Sequence, residues 1–115
     1  MELVTVNLPD GSTLANKIRI ARKYLERLRG LLGTAHLDID EGLLLENCTS
    51  IHTIGMLMTI DVVFLDQENR IMRICHSVSP GKIRLGTFKT VRTLELASGV
   101  AREMRLVINQ RLRVQ

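Results

Sequence analysis

The segment that decides both the fold and the candidate site runs from Cys48 to Asp66, CTSIHTIGMLMTIDVVFLD. Its second half, Met58–Asp66, is a nearly continuous run of apolar and β-branched residues, which predicts a buried strand. Its first half, Cys48–Met56, brings a thiol, hydroxyl groups and an imidazole close together in sequence. The segment therefore predicts a core strand that is preceded by a polar cluster in which a site could lie.

The strand is expected to continue into a hairpin with Arg70–Ser77. We expect a three-residue loop that ends with Asn69, because Asn tolerates the left-handed conformation that closes such loops. In that register Phe64 faces Met72, so the large apolar side chains share one face of the hairpin. A two-residue loop would instead place Phe64 opposite Arg73.

Turn residues divide the rest of the chain into short segments with a strand-like or helix-like period. Leu25, Leu28 and Leu32 fall at helical spacing, and Gly33 is expected to end that helix. Ser98 is expected to cap a second short helix. The predicted strands are Met1–Val6, Leu14–Ile20, Gly42–Leu45, Thr90–Leu96 and a C-terminal strand over 106–108 and 112–114, the predicted helices lie within 21–33 and 98–104, and Val78–Lys89 is expected to be a long, mobile, basic loop.

This order of elements predicts a mainly β fold with two short helices, built as a β-sandwich, a jelly-roll-like fold or an open barrel. With 115 residues, we expect a single domain over 1–115. The chain contains no stretch typical of a signal peptide or a membrane span, so we expect a cytoplasmic protein with no membrane association. In that compartment Cys48 and Cys75 are expected to be free thiols.

Charge is segregated along the chain, although the formal net charge is only +4. Residues 30–69 carry only acidic charges, whereas residues 70–115 contain ten basic residues and two acidic ones. One interpretation is a polyanion-binding surface, with Lys82, Arg84, Lys89 and Arg92 as its candidates. We favour mutual neutralisation within the fold or across a homodimer contact. Nucleic acid is not expected as a partner, because three scattered aromatic residues offer few stacking platforms.

Five segments of the chain follow one another in a distinctive order. They are RGLL at 29–32, GLLL at 42–45, SIHTIGM at 50–56, IDVVFLD at 60–66 and LELASG at 94–99. Their order and spacing resemble the prokaryotic family called domain of unknown function 192, over the chain from about Ala15 onward. The resemblance implies a mainly β fold of jelly-roll type and no established activity. The chain departs from the family at Thr59, where members often carry Pro, and at Asn109, where a Gly-Asp pair is usual.

Ser50, His52, Met56 and Asp61 form the candidate site, a cleft beside the core strand. Cys48 is a weaker candidate, because on a straight strand it would lie about 13 Å from His52, at about 3.3 Å per residue, too far for a nucleophile pair. Asp61 allows two interpretations. It is either a site acid near His52 or a structural acid that accepts hydrogen bonds from backbone amides.

A metal or another cofactor is not expected. The chain has three histidines and two cysteines, but they form no closely spaced ligand pair. In the expected hairpin Cys75 faces Asp61, whereas Cys75 and His76 point to opposite faces of their strand. Cys75 is therefore a weak candidate for a site residue.

Three functions are compatible with these residues. We favour a non-enzymatic accessory or binding module whose partner is a protein or a small molecule. The alternative is a small hydrolase-like enzyme that uses His52 with Asp61 or Cys48. A third hypothesis is polyanion binding through the basic C-terminal half of the chain.

Overall fold

The computed structural model describes residues 2–115, except for the side chains of Tyr24, Leu25 and Leu28. The expectations for Met1 and for the apolar face formed by Leu25 and Leu28 therefore lie outside the described residues. The elements in chain order are β1 (Glu2–Asn7), β2 (Thr13–Ala21), α1 (Tyr24–Arg29), β3 (Glu41–Leu45), β4 (Ser50–His52), β5 (Ile60–Leu65), β6 (Ile71–Val78), β7 (Ile83–Leu85), β8 (Arg92–Ala97), α2 (Val100–Glu103) and β9 (Arg113–Val114).

Most strands belong to one sheet that curls into a half barrel. Within the described chain this sheet has seven strands in the order β6-β5-β8-β3-β2-β1-β9, and β4 and β7 form a separate two-stranded ribbon. Strands β2 and β3 are parallel, and the other neighbouring strands are antiparallel. The mainly β prediction is confirmed. The expectation of two short helices was slightly too high, because α2 is only a single turn of four residues.

Each face of the curled sheet carries its own apolar cluster, because side chains along a strand alternate between the faces. Leu94 and Leu96 of β8 belong to the cluster that lies against α2. Leu43 of β3 and Phe64 of β5 belong to the other cluster, which includes Leu31 from the segment after α1. We call the second one the Phe64 cluster. Every residue of β5 is buried, as is typical of a strand that is covered on both faces.

The β5–β6 hairpin has the expected loop but not the expected register. Asn69 takes the left-handed conformation with a φ of 63°, and a three-residue loop forms. Phe64 nevertheless pairs with Arg73 and not with Met72, because the register shifts between Phe64 and Leu65. The extra residue in β6 forms a bulge. The expected register was wrong because it assumed a strand ladder without bulges.

A second bulge lies at the far end of the same hairpin. Here Ser77 adopts a φ of 47°, and the register shifts between Ile60 and Val62. Cys75 therefore pairs with Val62, and the expected pairing of Cys75 with Asp61 is wrong. The bulge turns the Ser77 amide toward Asp61, whose carboxylate accepts its hydrogen bond at 2.8 Å.

The first helix is shorter than its sequence period indicated. It runs over Tyr24–Arg29 and ends at Gly30, which has a φ of 50°, and not at Gly33. Its start is stabilised by Glu26, whose carboxylate accepts the backbone amide of Lys23 at 3.1 Å. A side chain that binds unsatisfied amides of the first turn favours helix initiation at that point.

The second helix is capped from another strand and not by its own N-terminal residues. Gly99 occupies the N-cap position with a φ of 93°, and the carboxylate of Asp61 accepts the amides of Gly99 and Ala101 at 3.0 and 2.9 Å. The expected cap by Ser98 is therefore wrong. The Ser98 hydroxyl instead shares a 2.9 Å hydrogen bond with the hydroxyl of Ser77.

The segment expected to be a long loop contains a strand. Ile83–Leu85 pairs with Ser50–His52, so part of the polar cluster lies on a strand. At the C-terminus only Arg113–Val114 pairs with β1, while residues 106–108 are not a strand. Neither of the helices in the described chain has the length and apolar character needed to cross a membrane.

Candidate functional site

A half-open cavity of about 290 Å³ lies between the α1 region, the β4 ribbon and the Phe64 face of the sheet. Its size is at the lower end of the range typical of small-molecule sites, roughly 300–1,000 Å³. Its apolar wall is formed by Leu31, Leu32, Leu45, Ile51 and Met56, and its polar lining by Arg27, Arg29, Asn47, Cys48, Ser50, His52 and Glu95. We call it the Glu95 cavity.

Glu95 is the buried acid of this cavity. It lies on the central strand β8, paired with Leu43 on one side and Val62 on the other, and is only 4% exposed. Among the described residues, no group donates a hydrogen bond to the carboxylate of Glu95. Desolvation is the cause of its pKa shift. Burial raises the pKa of Glu95 from 4.5 to about 7, because the anionic form loses its hydration.

Two glycines shape the surroundings of Glu95. A Cβ on Gly30 would lie 4.0 Å from the carboxylate Oε1 of Glu95, so the backbone after α1 passes close to the acid. A Cβ on Gly42 would lie 2.5 Å from the carbonyl oxygen of Glu95. Gly42 therefore allows β3 and β8 to approach each other, while Gly30 allows the chain to cover Glu95 without filling the cavity.

Two arginines, Arg27 and Arg29, line the cavity, and we call this pair the arginine mouth. The Nη1 group of Arg27 donates to the carbonyls of Glu46 at 3.3 Å and Asn47 at 3.1 Å. Its Nε is buried and has no partner among the described residues. Arg29 is exposed. The cavity thus combines two guanidinium groups, of which that of Arg29 is exposed, with one buried carboxyl group.

The structure brings together three of the four residues of the predicted site. Ser50, His52 and Met56 all line the Glu95 cavity. Ser50 and His52 are exposed on one face of β4, whereas Met56 is only 6% exposed and belongs to the apolar wall. These side chains form part of the rim and the wall of the cavity. The acid that lines the same cavity is Glu95.

Asp61, the fourth residue, lies elsewhere. Its side chain is fully buried, and its two carboxylate oxygens accept three backbone amides, from Ser77, Gly99 and Ala101. A carboxylate in the core needs such donors, because each one replaces hydrogen bonds that water would have supplied. Of the two interpretations, the geometry matches the structural acid.

The cysteines occupy different environments, and both are free thiols. Cys48 lines the cavity and donates a hydrogen bond to the carbonyl of Ser50 at 3.1 Å. Burial raises the pKa of the Cys48 thiol, which disfavours the thiolate that a nucleophile requires. Cys75 is buried in the Phe64 cluster and is not among the residues that line the cavity.

The four basic candidates are not equivalent. Arg92 is half-buried and donates from Nε to both carboxylate oxygens of Glu46, at 3.1 and 3.2 Å. Arg84 donates to the neighbouring carbonyl of Ile83 at 2.8 Å. Lys82 and Lys89 are exposed near the β7 ribbon. In the described residues, no group of three His, Cys, Asp or Glu is arranged to hold a metal ion.

Sequence reasoning missed Glu95 and Arg27 as site residues. Glu95 carries the same signal that singled out Asp61, an acid between apolar residues of a buried strand. The pattern identifies a buried acid, but it does not identify the groups that face it. Arg27 belongs to the basic face of a helix, and a pattern of that kind is typical of a solvated surface.

These features define a class of protein, a small, mainly β domain with a buried acid in a cavity of small-molecule size. The family model of domain of unknown function 192, described as an uncharacterized ACR, matches residues 5–114. The chain belongs to this family, so the resemblance carried by its five sequence segments is confirmed. No curated protein matches the chain in sequence.

Two crystal structures share the fold over nearly the whole chain. One is a protein of unknown function from Novosphingobium aromaticivorans, with a TM-score of 0.82 and 19% identity, over 96% of this chain and 83% of that one. The other, from Sinorhizobium meliloti, is provisionally named a transcription regulator, with a TM-score of 0.84 and 20% identity, over 98% of this chain and 92% of that one. At these identities the similarity establishes the fold alone.

Proposed function

We propose that this protein is a binding domain for a small organic molecule, which it holds in the Glu95 cavity. The observation that carries the proposal is the carboxyl group of Glu95, which is 4% exposed, lines the cavity and lacks a hydrogen-bond donor among the described residues. A carboxyl group that lines a cavity and has no donor among the described residues is a favourable contact for a ligand. A cytoplasmic, non-enzymatic role is part of this proposal.

The cavity chemistry supports binding more than nucleophilic catalysis. A nucleophile needs a base within hydrogen-bond reach, whereas the Cys48 thiol donates to the carbonyl of Ser50. The pKa of that thiol is raised by burial, so the thiol form dominates at neutral pH. Ser50 and His52 lie on the exposed face of a short strand, where they can contact a ligand.

The experiment is a small-molecule screen by two-dimensional amide NMR on the whole chain. A ligand of the cavity should shift the amide signals of Gly30, Ser50 and His52, and leave those of Gly99 and Val100 on the opposite face of the sheet unchanged. Glu95→Gln, which keeps the size of the side chain, should weaken the binding, and exposed Glu103→Gln is the matched control. A diverse library that shifts no cavity amide would contradict the proposal.

A second candidate function is acid–base catalysis by Glu95. The observation that favours it is a pKa of about 7, since a general acid or base works best when its pKa lies near the operating pH. This enzyme would use Glu95 where the sequence suggested His52 with Asp61 or Cys48. Slow conversion of a ligand found in the screen, with a pH–rate midpoint near 7 that is lost in Glu95→Gln, would support this function.

A further inference from the structure

We infer that the ligand is a small amphoteric molecule, with an ammonium group that contacts Glu95 and an anionic group that stays at the arginine mouth. This inference rests on the small-molecule cavity proposed above and names the chemical class of its occupant. The burial of Glu95, the two arginines and the apolar wall of the cavity support this ligand class.

The inner end of the cavity favours a cation. An ionised carboxylate without donors is unfavourable in a buried position, and a paired charge with hydrogen bonds removes most of that cost. An ammonium group carries three N–H donors and is compact. It can therefore supply what the described protein groups around Glu95 do not, and among the described acids Glu95 alone lines this cavity.

The two arginines that line the cavity favour an anion. They are Arg27 and Arg29, and the Nε–H group of Arg27 is buried without a partner in the described part of the chain. The Nη1 group of Arg27 is fixed by the carbonyls of Glu46 and Asn47, so the guanidinium is held in place before a ligand arrives. A carboxylate or phosphate can accept hydrogen bonds from a guanidinium in a charge-assisted pair.

The apolar wall of the cavity favours an apolar spacer. Leu31, Leu45, Ile51 and Met56 are buried residues of the Phe64 cluster that also line the cavity. A chain of a few methylene groups or a single ring would replace water against these side chains, which is favourable by roughly 25 cal/mol for each Å² of apolar surface. At about 290 Å³ the cavity suits a molecule of this small size.

A purely anionic ligand is the main competitor. It would bind the arginines while Glu95 stays protonated and donates its own hydrogen bond, which a pKa of about 7 allows. The two ligand classes differ in the direction of their pH dependence. An ammonium group needs ionised Glu95 and binds better as the pH rises through 7, whereas an anion that accepts from protonated Glu95 binds better as the pH falls.

Four linear probes of equal chain length separate these cases: 6-aminohexanoate, hexylammonium, hexanoate and neutral 1-hexanol. Binding is measured by amide NMR titration at pH 8 and pH 6, followed at Gly30 and Ser50. At pH 8 we expect 6-aminohexanoate to bind about tenfold tighter than hexylammonium or hexanoate, as expected when a charge-assisted hydrogen bond is added. Its affinity should fall at pH 6, where Glu95 is largely protonated.

Protein variants identify the side chain that contacts each charged end of 6-aminohexanoate. Glu95→Gln should remove the advantage of 6-aminohexanoate over hexanoate, and Arg29→Gln should reduce its advantage over hexylammonium, because Arg27 remains. Glu103→Gln and Arg102→Gln are exposed controls that should change neither ratio. Glu95→Asp keeps the charge with a shorter reach, so it should retain the pH dependence at lower affinity, and cooperative urea unfolding checks that each variant is folded.

The possible results distinguish this inference from the proposed function. Hexanoate as the tightest probe, with affinity that rises toward pH 6, overturns the amphoteric ligand and supports a cavity that binds anions. Equal affinity for 1-hexanol and 6-aminohexanoate also overturns it, while small-molecule binding stands. If no probe shifts a cavity amide, the amphoteric ligand is overturned, and the library screen then decides the proposed function separately.

Discussion

The carboxylate of Asp61 on β5 accepts the backbone amide of Ala101 in α2, at 2.9 Å and without any solvent exposure of the aspartate. The two residues are 40 positions apart in the chain, so this hydrogen bond ties the short helix to the centre of the sheet. The second oxygen binds the Ser77 amide at the bulge of β6. One buried acid thus fixes two irregular segments that have little regular hydrogen bonding of their own.

Asp61→Asn should destabilise the fold by about 3 kcal/mol, because the amide nitrogen of Asn cannot accept a hydrogen bond and would face backbone donors. The measurement is urea unfolding of the variant and the wild type. Asp38→Asn is the matched control, because the Asp38 side chain is 62% exposed and, among the described residues, pairs with exposed His36, so little change is expected. Equal losses for the two variants would contradict the structural role of Asp61.

For Asp61 and Glu95, the sequence predicts burial but not the groups that surround each acid. Both are acids within apolar strands, and this pattern correctly indicates that both are buried. Asp61 meets three backbone amides that are presented by a bulge and a helix start. Glu95, by contrast, lines a cavity. The difference arises from elements that are distant in sequence, and no local pattern around either acid encodes it.

The pH dependence of stability should report on Glu95. Its pKa is raised in the folded state, from 4.5 to about 7, so the folded protein keeps a proton that the unfolded chain releases. The contribution of Glu95 to stability is then highest below about pH 4.5, falls between pH 4.5 and 7, and is level above, with a total loss of about 3 kcal/mol for this shift. Urea midpoints of the wild type and Glu95→Gln, measured from pH 4.5 to 8, test this.

The difference in stability between the wild type and Glu95→Gln separates the effect of Glu95 from that of other titrating groups. Asp66, for example, has a lowered pKa, with burial opposed by the hydrogen bonds and charge of Arg70, and its contribution is common to both. The Gln variant should lose the decline and become more stable than the wild type at pH 8. Parallel pH profiles would show that Glu95 does not titrate in this range.

Much of the fold could be predicted from local patterns. The segments 2–6, 14–20, 42–45 and 60–65 each carry their own strand signal, and all four lie in strands. Asn69 was correctly expected to be left-handed. The register of the β5–β6 hairpin could not be predicted, because it contains bulges at Met72 and Ser77 that the alternation of apolar residues does not reveal. Strand β7 was missed because its signal is short and partly basic.

Gly42→Ala should be strongly destabilising, although Ala is only one methyl group larger. The added Cβ would lie 2.5 Å from the carbonyl oxygen of Glu95 and 2.7 Å from Cδ1 of Ile18, so β3 would have to move. We expect a loss of about 2–3 kcal/mol, typical of overpacking in a core. Thermal unfolding of Gly42→Ala is compared with that of Gly11→Ala.

Gly11 provides a control without steric conflict. Its φ is 90° and a Cβ there would meet no atom within 4 Å, so Gly11→Ala should cost only about 1 kcal/mol from the left-handed backbone. If Gly42→Ala is the milder of the two variants, the close approach of β3 and β8 is incorrect. The position of the Glu95 carboxyl group in the cavity would then be incorrect as well.

Arg92→Lys should lower stability without changing the net charge. Arg92 binds Glu46 through Nε and donates from Nη1 to the carbonyl of Gln67 at 3.2 Å, whereas Lys cannot make this fork of contacts. The side chains of Arg92 and Glu46 are 25% and 24% exposed, so we expect a loss of about 1–2 kcal/mol in urea unfolding. Lys89→Gln, at an exposed position, should leave stability unchanged.

The same two variants test polyanion binding through the basic half of the chain. Such binding should appear as retention on heparin that weakens steeply with salt. Arg92→Lys should not alter this retention, because the charge is kept and the side chain serves the fold. Lys89→Gln should reduce it, because Lys89 is exposed beside Phe88. Normal stability in Arg92→Lys together with weakened retention would show that Arg92 serves the surface and not the fold.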